Sequence, residues 1–156
     1  MGKRVKFGDV IEIPTNKGLA YAIYTHRHVD PPVFGPLLRV FAGFHKKRPK
    51  DFKEIVANPI RFSKFFPLVQ VINRKIFEVV AHEEIPKHLQ TFPSFRNNPN
   101  TKAKRNDEGW WIWYGKKEWK VGYLSNDQKL YPKHSIVNDT ALREMIEGKW
   151  GPDDEL

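Results

Sequence analysis

Val5-Lys6-Phe7-Gly8-Asp9-Val10-Ile11-Glu12-Ile13-Pro14-Thr15-Asn16-Lys17-Gly18-Leu19-Ala20-Tyr21-Ala22-Ile23-Tyr24-Thr25-His26-Arg27-His28 decides the fold, because it reads as two strands joined by a turn. Val10, Ile11 and Ile13 are β-branched and suit a pleated backbone, and Pro14 lacks the N–H that would carry pairing further. Asn16-Lys17-Gly18 supplies the turn. In the return strand Ala20, Ala22 and Tyr24 share one face and Tyr21, Ile23 and Thr25 the other, so apolar groups lie on both sides and the strand belongs inside a sheet.

Working outward, Asp30-Pro31-Pro32 and Gly35-Pro36 punctuate a loop, and Leu37 to Phe44 has the composition of a third strand, which makes an antiparallel meander. His45 to Lys50 concentrates cations around Pro49, after which Asp51 is placed to cap a short helix through Val56 that Pro59 ends. Ile60 to Val80 fits both periodicities in places and is expected to be mostly strand with one helical turn. Phe92 to Arg96 reads as a packed loop opening into a mobile one near 97–108. Trp110 to Tyr114 and Trp119 to Leu124 flank a short polar turn and form a second hairpin. Asn138 or Asp139 can cap a last helix from Thr140 to Glu147, which Gly148 stops, and a short acidic tail occupies 151–156. The expectation is one α+β domain over 1–156: a strongly twisted, mostly antiparallel sheet, partly barrel-like, with two or three short helices.

At 156 residues the chain has the size of one ordinary domain, and 11 Phe, 5 Trp and 5 Tyr make large rings the main filling of its core. The absence of Cys removes disulfides, thiolate nucleophiles and Cys-ligated zinc, and suits a reducing compartment. No long apolar run follows the first charges and none is long enough to span a bilayer, so a cytoplasmic protein without membrane contact is expected. With 27 Lys and Arg against 18 Asp and Glu, the formal charge of +9 favours acidic partners by long-range attraction.

The candidate chemistry is thin. His26 and His28 would point two imidazoles to one strand face, and His82 stands beside Glu83 and Glu84, but strand-end histidines outnumber metal ligands, so no metal is expected. Ser63, Ser94, Ser125 and Ser135 lack a nucleophile elbow, and neither a P-loop nor a dinucleotide fingerprint occurs, so neither catalytic residues nor a cofactor are assigned. Lys116, Lys117 and Lys120 interleave with Trp in the second hairpin, which admits a nucleic-acid platform, although core packing is the stronger reading for aromatic strands. The electrostatic candidates for partner contact are Lys46, Lys47, Arg48 and Lys50 in the basic loop, with Lys116 and Lys117 in the hairpin turn.

Gly8-Asp9-Val10-Ile11-Glu12-Ile13-Pro14, followed by a Gly-containing turn and Tyr21-Ala22-Ile23-Tyr24, resembles the opening of bacterial immunity protein 26 domains. Phe66 to Val71, Ile85-Pro86-Lys87-His88-Leu89 and Trp110 to Leu124 are similar to that family's middle strand, Pro-x-x-Leu element and late hairpin. The resemblance implies a non-catalytic protein that binds a cognate toxin of a polymorphic toxin system and blocks it. The basic balance of this chain adds the expectation of an acidic contact surface on that toxin; a nucleic-acid-binding module is the alternative.

Overall fold

The computed structural model describes residues 4–148, so the acidic tail at 151–156 lies outside the described residues. β1 (Asp9–Thr15) and β2 (Gly18–His28) form the expected hairpin, in a register running from Val10↔Ile23 to Thr15↔Gly18. The turn closes on itself: the Thr15 hydroxyl donates to Gly18 O at 2.6 Å and accepts from Lys17 N at 3.1 Å. β3 (Gly35–Phe41) adds to β2. Helix α1 (Lys53–Val56) follows the basic loop, with Asp51 Oδ1 accepting from Lys53 N at 2.9 Å, and β4 (Ile60–Phe65) then pairs with β3.

The segment expected to be mostly strand divides into β4, the helix α2 (Leu68–Asn73) and β5 (Glu78–His82). Leu68, Val71 and Ile72 are the buried residues of α2, and their spacing of three and four is the helical signal that neighbouring apolar residues hid. α2 carries the chain across the sheet, so β5 lands beside β1 and the order becomes β4-β3-β2-β1-β5. β2 is central, which accounts for its two apolar faces.

The sheet is not closed into a barrel. The five strands form an open antiparallel sheet whose edges, β4 and β5, do not pair. Closure needs enough strands for the tilt and stagger to meet around an axis. Here covering segments bury the sheet instead. Leu142 and Ile146 join Leu68, Val71, Ile72 and Phe77 over the face of Ile11, Ala22 and Val40, while Phe52, Ile55, Val56 and Leu89 cover Val10, Tyr21, Ile23 and Phe41.

Phe92 to Arg96, read as a loop, contributes a short strand: β6 (Phe95–Asn97) joins β7 (Trp110–Trp113) and β8 (Glu118–Gly122) in a separate three-stranded sheet. Residues 97–108 are tied to it. Trp110 Nε1 donates to Lys104 O at 3.2 Å, Asn98 Nδ2 to Glu108 O at 3.1 Å and Arg105 Nε to Lys129 O at 2.9 Å. Phe95 and Trp113 of the second sheet pack with Leu37 and Phe65 of the first, and the stretch between Pro132 and Val137 bonds to both, through Arg96 N to Pro132 O and Val137 N to Phe65 O. The last helix, α3 (Asp139–Glu147), is capped by Asn138, whose Oδ1 accepts from Ala141 N at 2.8 Å. No helix among the described residues is long and apolar enough to cross a membrane.

Candidate partner-binding surface

The motif Gly8-Asp9 has a structural task. Gly8 adopts φ +97°, and a Cβ there would sit 2.6 Å from Glu83 O. That close approach lets Gly8 N donate to Tyr24 O and Gly8 O accept from Glu83 N, knotting the entries of β1, β2 and β5 together. Buried Asp9 completes the knot, accepting from Lys6 N at 2.8 Å and from His82 Nδ1 at 2.9 Å. His82 is thereby engaged by a carboxylate of the fold.

Lys46, Lys47, Arg48 and Lys50 of the basic loop are all exposed, but Arg48 is engaged by carboxylates of the sheet. Its guanidinium forks onto Glu12 at 2.8 and 3.0 Å and reaches Glu78 at 2.8 Å, and the Tyr21 hydroxyl donates to Glu12 at 2.9 Å. The Arg48 hydrogen bonds outweigh desolvation and hold the Glu12 carboxyl below its ordinary range; burial, with Glu12 beside it, pushes the Tyr21 phenol up. This is a clamp between the loop, β1 and β5, and it occupies the strongest hydrogen-bonding cation of the loop.

Lys116 and Lys117 are exposed in the β7–β8 turn, where Gly115 adopts φ +93° and an added Cβ would crowd the Phe92 ring at 3.2 Å. The structure does not bring the two basic sites together. The Lys46 loop lies by Gly18, since Leu19 and His45 exchange backbone hydrogen bonds, whereas the Lys116 turn shares a groove with Pro31, Pro32 and Phe34 beyond His28. Ten steps along β2 separate these ends by about 33 Å.

At the His28 end the sequence left unremarked what the fold makes prominent. Phe34 stacks on Phe65 at 5.0 Å and meets Trp113 at 5.3 Å and His134 at 5.0 Å. A groove of about 440 Å³ opens on one side of it, lined by Val33, Pro36, Pro67, Val69 and Ile136 with Arg27 and Gln70. On the other side a groove of about 370 Å³ is lined by Pro31, Pro32, Trp113, Asn97, His134, Lys116, Lys117 and Glu118. Val33 is 61% exposed and Ile136 53%, two aliphatic groups left in water on the same groove. The available signal was the presence of Val29, Val33 and Phe34 in a proline-rich loop, where polar residues are the norm.

The imidazoles have other occupations. Arg39 Nε donates to the Thr25 hydroxyl at 3.2 Å, that hydroxyl donates to His26 Nδ1 at 2.8 Å, and His26 Nε2 donates to Gln90 O at 2.9 Å. This relay requires the neutral Nε2–H tautomer, and burial and the nearby Arg39 charge push the His26 pKa down. Arg39 is itself buried, without a carboxylate partner among the described residues, and desolvation brings its pKa down to about 10. His28 lies among Phe34, Phe92 and Trp113, and His134, against Phe34 and Trp113, is pushed down by burial. Among the described residues no three His, Asp or Glu side chains gather where a metal could bind.

In the Trp-rich hairpin the two readings divide by residue. Trp110 and Trp113 are buried, Trp110 under the Arg96 guanidinium at 5.2 Å. Trp119 is 43% exposed, with Tyr114 against it edge-on at 5.6 Å. No protein-family model, curated protein or solved structure matches the chain.

Proposed function

We propose that this chain is a non-catalytic immunity protein that acts in the cytoplasm, binding a cognate bacterial toxin and holding it inactive. The observation that carries the reading is the surface around Phe34, where one groove exposes Val33 and Ile136 and the neighbouring groove carries Lys116 and Lys117, on a framework fixed by the packed Phe65, Phe95 and Trp113 rings. Contiguous exposed apolar groups beside polar ones are the composition of a docking surface, and rings locked by neighbours lose little freedom on binding. The resemblance of the Gly8 to Pro14 opening to immunity domains supports the same reading, although Gly8 and Asp9 themselves serve the fold. A stable complex would extend well beyond the two grooves, since about 800 Å² per partner is usual.

The test is rescue. Cells expressing a toxin encoded beside this gene survive when the chain is co-expressed and the two proteins co-purify; death in the presence of folded chain, for every neighbouring toxin, refutes the reading.

A second reading has its own observation. Trp119 and Tyr123, 43% and 65% exposed, stand in or next to β8 with Lys116, Lys117 and Lys120 exposed nearby, which suits stacking on single-stranded nucleic acid. Quenching of Trp fluorescence by oligo-dT, lost steeply between about 50 and 200 mM salt, would favour it.

A further inference from the structure

We infer that the two grooves flanking Phe34 jointly seat one acidic segment of a partner protein, an aliphatic side chain entering the Val33–Ile136 groove and a carboxylate lying by Lys116 and Lys117. The inference deepens the binding reading above and rests on it. Its basis is the unlike character of two adjacent grooves sharing one ridge. The wall of the first is mainly Val33, Pro36, Pro67, Val69 and Ile136, so it rewards an apolar guest. The second is mainly polar, with Asn97 and His134 lining it together with the two exposed lysines. A ligand spanning Phe34 must therefore carry an apolar group and a polar one within a few residues of each other, as an extended or helical peptide segment does.

The sign of the polar group follows from charge. Arg27, Lys116 and Lys117 line the grooves against one carboxylate, Glu118, and His134, held neutral by burial, adds no cation at neutral pH. A carboxylate gains from this field, whereas a lysine would be repelled. Nucleic acid is the poorer fit here. Val33 and Ile136 offer no ring face for a base, and Trp113 is buried and edge-on to its neighbours His28 and Phe92. Trp119, the exposed indole, lines neither groove.

The experiment pans the full chain with a random dodecapeptide phage library and measures the synthetic forms of the enriched peptides by surface plasmon resonance. Enriched sequences should place Asp or Glu within a few residues of Leu, Ile, Met or Phe. Val33→Asp, Ile136→Asp and the pair Lys116→Glu with Lys117→Glu should each weaken binding by about tenfold or more, while Lys46→Glu with Lys47→Glu leaves dissociation unchanged. All these side chains are exposed, and circular dichroism melts of each variant should match the parent. No enrichment, basic consensus peptides, binding indifferent to the groove variants, or oligo-dT captured through Val33 would overturn the inference. The same variants in the rescue assay separate the two claims. Rescue that survives Val33→Asp and the lysine reversal leaves the immunity reading standing without this surface; acidic peptides bound as expected, with no toxin rescued, leave the surface without that function.

Discussion

Gly8, part of the opening motif, serves the fold through its backbone. Its value is conformational: φ of +97° and a neighbouring carbonyl at 2.6 Å from any added Cβ leave no room for a side chain. Gly8→Ala should therefore destabilise the protein by about 1–3 kcal/mol, as strained non-glycine positions do, shifting the urea midpoint without changing the slope. An unshifted midpoint would mean that the β1 and β5 entries are not knotted there. Arg48 teaches the converse. In sequence it is one more cation of a basic loop, and in the fold it is the partner of two carboxylates from different strands. Its ion pairs with Glu12 and Glu78 depend on which strands become neighbours, and the strand order β2-β1-β5 is not a property of residues 45–50.

Among the elements, the two hairpins, the third strand, the short helix after Asp51 and the capped last helix were legible, because each is set by neighbours within a few residues: turn chemistry, β-branching, a cap and a stop. α2 was underweighted and β6 missed. A six-residue helix between two strands has too few turns to stand out, and a three-residue strand is defined by pairing with Trp111 to Trp113 rather than by its own composition. The Trp-rich hairpin tests the consequence. Trp113→Ala removes the ring that touches both sheets and should cost about 3–5 kcal/mol in urea unfolding, whereas Trp119→Ala should stay within about 0.5 kcal/mol. Equal losses would show that the exposed and buried indoles are not the two classes described.

At the scale of the whole molecule, stability should depend on acid through two half-buried imidazoles. His26 and His134 have folded pKa values below their ordinary 6.5, both chiefly through burial, so the unfolded chain binds protons more readily. Their contribution is full above pH 6.5 and is lost as pH falls from there through the depressed folded values. Glu12, also depressed, adds a second loss below about 4.5. The thermal midpoint should thus drop between pH 7.5 and 5.5, and His26→Gln combined with His134→Phe should flatten that drop; an equally steep decline in the double variant would assign it to other groups. Charge acts over the same scale. The excess of nine positive charges bears on how fast an acidic partner arrives, whereas the grooves bear on how long it stays.

From the chain's own order of residues came the class of fold, the central position of β2, the aromatic core and the two basic sites, because periodicity, turn chemistry and charge are local or additive properties. Tertiary structure alone decided that the sheet stays open, that Arg48 is clamped, that the basic sites lie at opposite ends of β2, and that Phe34 stands between a groove of Val33 and Ile136 and a groove of Lys116 and Lys117. Residues 33 and 136 become neighbours through the bridge of Ile136 to Phe65 and the packing of Phe34 on that same ring. Such contacts arise from long-range strand pairing, and no local pattern along the chain encodes them.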